Sequence, residues 1–251
     1  MKITFLGTGT SQGIPVIGCE CDVCTSENPR DKRLRVSALI QENDTNILID
    51  AGPDFRQQML SSGINHLEAV LITHEHNDHI AGIDDVRPFN FRSGKDMPFF
   101  AMERVVDAIQ VRFPYIFKPS PYPGAPRIKM HVVEEKDFLV NNISITPISI
   151  LHGALPILGY RIHNLAYLTD VKFIPENEFK KLKNLDLLVI SALQLKKHHS
   201  HCTLDEALSL IEHIKPRKAL LIHMSHTMGD ISVLKLPSNV AFAYDGLEII
   251  L

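Results

Sequence analysis

The sequence lacks an excess of basic residues. Its 251 residues include 26 Lys and Arg against 29 Asp and Glu, which gives a formal net charge of −3. A surface without surplus positive charge attracts a polyanionic backbone weakly, because few counterions are released on binding. We therefore expect no stable nucleic-acid partner.

Long apolar runs are also missing. No run approaches the roughly 20 apolar residues that a membrane-spanning helix needs, so we expect no membrane partner. The opening Met1–Gly7 turns into a Gly/Thr loop before any signal-peptide core could form. These absences predict a cytoplasmic protein. A homodimer is expected only because dimers are common among soluble enzymes.

What the sequence does contain is enough apolar material for one large domain over residues 1–251, since 45% of its residues are hydrophobic. Short β-type runs alternate with helix-like segments, which is typical of a layered α/β fold. Strands are predicted at 3–6, 37–41, 46–49, 69–72, 143–148, 165–168, 187–190, 219–222 and 240–243, and helices near 54–61, 79–86, 104–112, 176–182 and 204–214.

The segment 87–127 differs from the rest of the chain. It holds seven prolines among Phe and Tyr residues, so its middle is not expected to be one continuous helix or a central strand. We interpret it as an insertion beside the functional site. It is either a packed surface excursion or a lid that covers the substrate.

The strongest motif follows the apolar run at 67–72. His74, His76, Asp78 and His79 place four potential metal ligands within six positions. Imidazole and carboxylate suit zinc and manganese, and a loop at a strand end can direct two ligands to each of two ions. The alternative is a solvated turn that is rich in histidine.

This motif resembles the signature of the metallo-β-lactamase superfamily. Candidates for that family's remaining ligands follow in order at predicted strand ends, at His152, Asp170 and His223. The resemblance covers nearly the whole chain and implies a four-layer αββα sandwich with two divalent ions, Zn²⁺ or Mn²⁺. It implies that one ion is held by His74, His76 and His152, that the other is held by Asp78, His79 and His223, and that Asp170 joins them.

Two further features lie near predicted strand ends. Asp50 fits the family's aspartate that orients the ligating imidazoles, although it could also cap a helix ahead of Pro53. The loop Gly7–Gly13 could offer backbone N–H groups to a phosphate, but it lacks a P-loop lysine, so a tight turn is the alternative.

Three of the four cysteines lie close together. Cys19, Cys21 and Cys24 are poorly spaced for separate disulfides but suit one metal in a reducing compartment. This run resembles that of the PhnP-like phosphodiesterases, and the resemblance implies that His226 closes a structural zinc site. A redox pair with a spare thiol, or buried small hydrophobes, are the alternatives. Cys202 is predicted to be a plain buried thiol.

A second histidine cluster precedes the predicted helix at 204–214, where Thr203 and Glu206 form a capping-box pattern. The PhnP-like resemblance implies that His201, 22 positions before the last metal ligand, is the catalytic histidine. A solvated loop histidine is the alternative. His198 and His199 are predicted to be surface or substrate-lining groups.

The function implied by this resemblance is hydrolysis of a small, cyclic phosphodiester by a metal-bridging hydroxide. Asp78 and His201 are the predicted catalytic residues. His201 would donate a proton to the leaving oxygen, a role suited to a histidine that titrates near neutrality. Alternatives are an oxidative enzyme similar to PQQ-biosynthesis protein B and a non-catalytic, metal-bound binding protein. A tRNA 3′-processing nuclease is disfavoured, because it would be expected to carry a long arm or a basic surface, and neither is evident in this sequence.

Overall fold

The computed structural model describes residues 1–118 and 122–251, so Pro119 and Pro121 of the proline-rich segment lie outside the described residues. Within this part of the chain, seven strands form a first sheet with the order β14-β1-β2-β3-β4-β5-β6. Its strands are β1 (Lys2–Gly7), β2 (Ser37–Glu42), β3 (Thr45–Ile49), β4 (Ala69–Leu71), β5 (Met97–Ala101), β6 (Ile128–Val132) and β14 (Glu248–Ile250).

A second sheet of seven strands has the order β13-β12-β11-β10-β9-β8-β7. Its strands are β7 (Phe138–Val140), β8 (Ile143–His152), β9 (Leu155–Ile162), β10 (Leu165–Leu168), β11 (Leu187–Ser191), β12 (Lys218–Ile222) and β13 (Val240–Phe242). The α-helices are α1 (Asp22–Thr25), α2 (Phe55–Ser62), α3 (Asn77–Ile80), α4 (Arg87–Ser93), α5 (Glu103–Arg112) and α6 (Leu204–Ile214). Short 3₁₀ helices lie at Pro29–Asp31, Ile83–Val86, Glu176–Leu182, His226–Met228 and Ile231–Val233.

Three apolar clusters separate four layers. In β3, Ile47 and Ile49 pack between the two sheets, whereas Leu48 faces the helices on the outer side. The same alternation in β11 puts Val189 between the sheets and Leu188 against α6. Because successive strand residues point to opposite faces, both faces of each sheet are buried. The αββα sandwich predicted from the resemblance is confirmed.

Parallel strand pairing places the functional residues. Strands β3 and β4 are parallel in the first sheet, and β10, β11 and β12 are parallel in the second. Because these strands are parallel, their carboxyl ends lie at the same edge of each sheet, which is where open α/β sheets place their ligands. Six of the seven predicted metal ligands follow β4, β10 or β12, and the seventh, His152, is the last residue of the antiparallel strand β8.

The proline-rich segment corrects one prediction. Its first part forms α4, β5 and α5, and β5 lies between β4 and β6 in the first sheet. Pro98 is tolerated there because β4 pairs with β5 only from Phe99 onward. Residues 87–112 are thus part of the sandwich and not an insertion. Whether residues 113–127 cover a substrate stays a prediction.

Two predicted helices differ in form. The segment 79–86 is divided into the end of α3 and a 3₁₀ turn, and 176–182 is a 3₁₀ helix. Among the described residues, no helix combines the length and apolarity that crossing a membrane requires.

Candidate metal centre

The backbone turns sharply where three of the predicted site residues leave their strands. Asp50, Asp170 and His223 have φ values of 63°, 55° and 58°. This left-handed region is uncommon for residues other than glycine, and strain of this kind concentrates at functional sites. At each of these residues the chain therefore departs from the extended conformation of the strand that precedes it.

The histidine motif occupies the end of β4 and the start of α3. His76 is the residue before the first helical turn, and Asp78 and His79 lie within that turn. Gly52 packs against it so closely that a Cβ there would lie 2.0 Å from the carbonyl oxygen of Asp78. Only glycine permits this approach, which fixes the turn against the end of β3.

The structure brings the seven predicted ligands of the two-metal centre together. The ligand atoms of His74, His76 and His152 lie within 4.8 Å of one another. The same holds for the group Asp78, His79 and His223 and for the group His74, His79 and Asp170.

Asp170 lies between the two groups. Its Oδ2 is 3.3 Å from Nε2 of His79 and its Oδ1 is 3.2 Å from Nε2 of His223, both of the second group. On the other side, a carboxylate oxygen of Asp170 lies within 4.8 Å of ligand atoms of His74 and of His152, which belong to the first group. This is the position that an aspartate joining two ions needs. Because the first group spans β4 and β8 and the second spans β4 and β12, the centre connects the two sheets.

The donor set fits divalent metal ions. Nε2 of His74, of His79 and of His223 is buried and has no hydrogen-bond partner among the described residues. Buried nitrogen atoms without partners are costly unless something binds them. Imidazole and carboxylate ligands suit zinc or manganese at such a position. The chemistry of these residues therefore agrees with a metal centre.

Charge within the centre is strongly coupled. Burial favours the neutral form of Asp170, but His223 and His79 hold the pKa of this carboxyl well below its usual range. Burial and the neighbouring His79 lower the pKa of His74 well below its usual value, so this imidazole is neutral at pH 7. A carboxylate beside a neutral imidazole is the form that binds a cation.

Asp50 lies behind the centre and is fully buried. Its carboxylate accepts hydrogen bonds from the Thr73 backbone N–H at 2.8 Å and from the Thr73 hydroxyl at 2.9 Å, and it lies 2.7 Å from Nδ1 of His79. Nδ1 of His79 is therefore occupied, and Nε2 faces Asp170. This arrangement matches the orienting role that the resemblance implied.

His201 lies beside the centre. Its Nδ1 is 3.5 Å from Oδ1 of Asp170 and has no hydrogen-bond partner among the described residues. Burial and the neighbouring His223 lower the pKa of His201 to about 3, so its imidazole is neutral at pH 7. This lowered pKa differs from the expectation of a histidine that titrates near neutrality. The ring centroids of His198 and His201 lie 5.1 Å apart with the rings tilted by 46°, and His199 is exposed.

The cysteine cluster is also assembled. Sγ of Cys19, Cys21 and Cys24 lies 3.3, 3.4 and 3.6 Å from Nδ1 of His226. Four such atoms within 4.8 Å of one another suit a closed tetrahedral zinc site. The fourth cysteine, Cys202, is buried elsewhere, and burial raises the pKa of its thiol to about 12.

The Gly7–Gly13 loop forms a turn inside the fold. The N–H groups of Gly9, Thr10 and Gly13 donate to the carbonyl oxygens of Leu34, Met224 and Thr10, in that order. These donors are not free for a phosphate, so the tight-turn interpretation fits better than the phosphate-binding one.

Sequence reasoning missed the groups that support the motif. The hydroxyl of Tyr160 in β9 donates to the carbonyl of Ile72 at 2.6 Å, which joins the second sheet to the motif. Arg104 in α5 pairs with Glu75, the residue between the first two histidines. Neither contact has a signal in local sequence, because each joins residues that lie far apart in the chain.

Comparison with known proteins agrees with this geometry. Residues 45–224 match the family model described as a β-lactamase superfamily domain. A solved structure of a diphosphatase from the PhnP family is 38% identical, with a TM-score of 0.92, and the match covers 99% of this chain and 96% of that one. The zinc-bound PqqB of Methylobacterium extorquens has a TM-score of 0.79 at 17% identity, with both chains fully covered, and shows the fold alone.

Among curated proteins, the octanoyltransferase of Porphyromonas gingivalis is 43% identical over 256 residues. This match covers all of the present chain but 52% of that protein, so the chain spans about half of the relative's length. The match over most of the chain to the superfamily model and over nearly all of it to the diphosphatase determines the family. The protein belongs to the β-lactamase superfamily and, within it, to the PhnP family.

Proposed function

We propose that this protein is a binuclear metal-dependent phosphodiesterase that acts on a small, cyclic phosphodiester. The observation that carries the proposal is the position of His201. Its Nδ1 has no hydrogen-bond partner among the described residues and lies 3.5 Å from Asp170. His201 belongs to neither of the two predicted ligand groups, although a ring nitrogen lies within 4.8 Å of ligand atoms of His152 and Asp170. A hydrolase that must expel a poor leaving group needs a proton donor at such a position.

Two divalent ions in this centre would supply a nucleophile from water near neutral pH and would neutralise charge on the phosphate. The side chains of the protein account for the remaining steps. Asp78 and Asp170 keep the ligand groups anionic, and Asp50 holds the tautomer of His79. His201 takes up a proton when the anionic phosphate binds and gives it to the leaving oxygen. The negative substrate favours this protonation by direct attraction.

A small cyclic ester is the substrate class that the PhnP-like cysteine site supports. The net charge of −3 gives no reason to expect a polynucleotide. We infer a cytoplasmic enzyme whose only partner is the substrate, apart from a second copy of the chain if it dimerises.

A diphosphate ester is a second candidate, since the 38% identical structure is that of a diphosphatase. Arg112, at the end of α5, supports it. Its guanidinium lies 3.4 Å from the carbonyl oxygen of Glu75 and 3.3 Å from Oδ1 of Asn77, on either side of the exposed ligand His76. The Arg112 guanidinium therefore lies beside a predicted metal ligand, where it could bind a second phosphate while the first is held at the centre.

Other activities have less support. The ligand set is complete, which argues against a non-catalytic binding protein. The likeness to PqqB at 17% identity concerns the fold and carries no oxidative chemistry. The octanoyltransferase is about twice as long as this chain, so we propose no acyl transfer here.

The test combines metal analysis with hydrolysis assays. Purified protein would be loaded with zinc or manganese and assayed on bis(p-nitrophenyl) phosphate, on cyclic ribose phosphodiesters and on a dinucleoside diphosphate. We expect about three metals per chain and metal-dependent cleavage. Full metal content without cleavage of any of these substrates would contradict the proposal. Cleavage of the diphosphate alone would select the second candidate.

The role of His201 has its own test. His201→Ala should lower turnover of a cyclic ester by about 10²- to 10⁴-fold, because the leaving alkoxide loses its proton donor. Metal content should stay the same. A surface histidine, His213, provides the control variant His213→Ala. Unchanged turnover in His201→Ala would remove His201 from the mechanism.

A further inference from the structure

Lys172 lies two residues after Asp170 and contacts the segment that carries His201. Its ammonium donates to the carbonyl oxygen of His201 at 3.2 Å and to both carboxylate oxygens of Glu206 at 2.8 Å. The lysine side chain is 20% exposed and the glutamate side chain is 40% exposed. This ion pair is therefore partly exposed to solvent, and Lys172 connects it to the backbone of His201.

Glu206 is itself fixed by the start of α6. Its carboxylate accepts the backbone N–H of Thr203 at 2.9 Å, and its own N–H donates to the Thr203 hydroxyl at 3.2 Å. This capping box makes the first turn of α6 a rigid support. Lys172 thus connects a fixed helix end to the backbone of His201.

Ser200, the residue before His201, is also held by hydrogen bonds. The carbonyl of Ser200 lies 2.9 Å from Nδ1 of the ligand His152 and accepts the N–H of Gly153 at 3.1 Å. The Lys172 N–H also donates to the carbonyl of Leu151 at 2.7 Å. The segment around His201 is therefore fastened at two successive carbonyl groups. Nδ1 of the His201 imidazole, by contrast, has no hydrogen-bond partner in the described part of the chain.

We propose that Lys172, held by Glu206, is a positioning residue that sets the place of His201 for proton donation to the leaving group. This inference rests on the proposed phosphodiesterase function. Lys172 itself contacts no substrate, since its ammonium is used by Glu206 and the His201 carbonyl. If the ammonium is removed, the His201 carbonyl loses a charged donor and the segment can shift. A displacement of about 1 Å at a reacting group can cost 10²-fold in rate.

The experiment measures dependence on the leaving group. Metal-loaded enzyme would be assayed on methyl p-nitrophenyl phosphate and on methyl phenyl phosphate. The first leaving group departs without a proton, whereas the second is more basic and benefits from one. In Lys172→Met we expect the ratio of kcat on the first ester to kcat on the second to rise about tenfold. His201→Ala should raise the same ratio further.

Lys181 offers a matched control. Its ammonium makes the same kind of contacts, at 2.8 Å to Glu178 and at 2.8 Å to the carbonyl of Pro147, but these residues lie outside the centre. Lys181→Met should therefore leave the ratio of kcat values at the wild-type level. Lys172→Arg keeps the positive charge and should restore the ratio in large part. Metal content is measured for every variant.

The outcomes separate the two proposals. If metal-loaded wild-type protein cleaves neither these esters nor any substrate of the first assay, the proposed function itself is wrong. If it cleaves only the cyclic esters, whose alkoxide leaving groups need a proton, Lys172→Met should lower kcat on them while Lys181→Met does not, and an unchanged kcat overturns the inference. If the wild type is active and Lys172→Met lowers kcat on both esters by the same factor, Lys172 has only a structural role and the inference is overturned. A raised ratio with normal metal content, together with rescue by arginine, supports it.

Discussion

The carboxylate of Asp50 determines how one imidazole of the metal motif faces the centre. It lies 2.7 Å from Nδ1 of His79, and Nε2 of that ring is buried without a partner among the described residues. A ligating histidine commonly gives its other ring N–H to a carboxylate in this way. Burial raises the pKa of Asp50, while His79 opposes that rise by attraction. The charge of the Asp50 carboxylate is therefore stabilised by its contact with His79.

Asp50→Asn should weaken metal binding by about 10- to 100-fold. The new amide can donate to Nδ1 of His79, which would move the ring proton to Nε2 and block the metal. Titration of the metal-free variant with zinc against a competing chelator measures this loss. Asp54→Asn is the control, because Asp54 also accepts a backbone N–H, from Arg35 at 2.8 Å, but lies outside the ligand groups. Equal zinc affinity in wild type and Asp50→Asn would show that Asp50 does not orient His79.

The cysteine cluster has a separate prediction. Cys21→Ser should lose about one zinc per chain, since Sγ of Cys21 is one of three sulfur atoms that converge with Nδ1 of His226. The variant should also unfold at a lower temperature, because metal binding contributes to folding. Metal analysis by mass spectrometry and thermal unfolding measure the two effects. Cys202→Ser, which changes the buried thiol outside the cluster, should keep its zinc. A full zinc complement in Cys21→Ser would contradict the structural-site assignment.

At the scale of elements, local signals predicted some features and not others. The bounds of α6 were predicted correctly because Thr203 and Glu206 mark its start in the sequence itself. Strand β5 was missed because Pro98 argued against it, and only the pairing with β4 shows why that proline is tolerated. Gly159 interrupts the apolar run of β9 in the sequence. The structure requires glycine there, because a Cβ would lie 2.4 Å from the side chain of Leu168. Such close packing has no signature in one sequence.

The capping box of α6 gives a prediction at this scale. Thr203→Ala removes the hydroxyl that accepts the Glu206 N–H at 3.2 Å, and it should lower the free energy of unfolding by about 1 kcal/mol. Thr203→Ser keeps the hydroxyl and should stay near the wild type. Urea unfolding of the three proteins, in the same metal-loaded state, measures the difference. An equal loss in both variants would assign the effect to packing of the Thr203 methyl group instead of to the cap.

At the scale of the whole molecule, the predicted ligands come from both sheets. His74 and Asp78 follow β4 of the first sheet, whereas Asp170 and His223 follow β10 and β12 of the second. The sequence could predict these residues because each directly follows a β-type run or lies in the motif. It could not predict the contacts that hold them, such as the hydrogen bond from Tyr160 to Ile72, because they depend on the packing of one sheet on the other.

Metal bound by these residues would link the two sheets, so metal removal should destabilise the entire fold. Ions that bind only the native state add about 4 kcal/mol when their free concentration is 1,000 times the dissociation constant. Removal with a chelator should therefore lower the unfolding temperature on the order of 10 °C. Calorimetry of wild type and Cys21→Ser, each with chelator and with calcium-saturated chelator as the control, separates the two sites. If the ions in the centre connect the sheets, the cysteine variant keeps most of the chelator effect. If chelator no longer lowers its unfolding temperature, the cysteine site alone stabilises the fold, and the centre contributes to chemistry only.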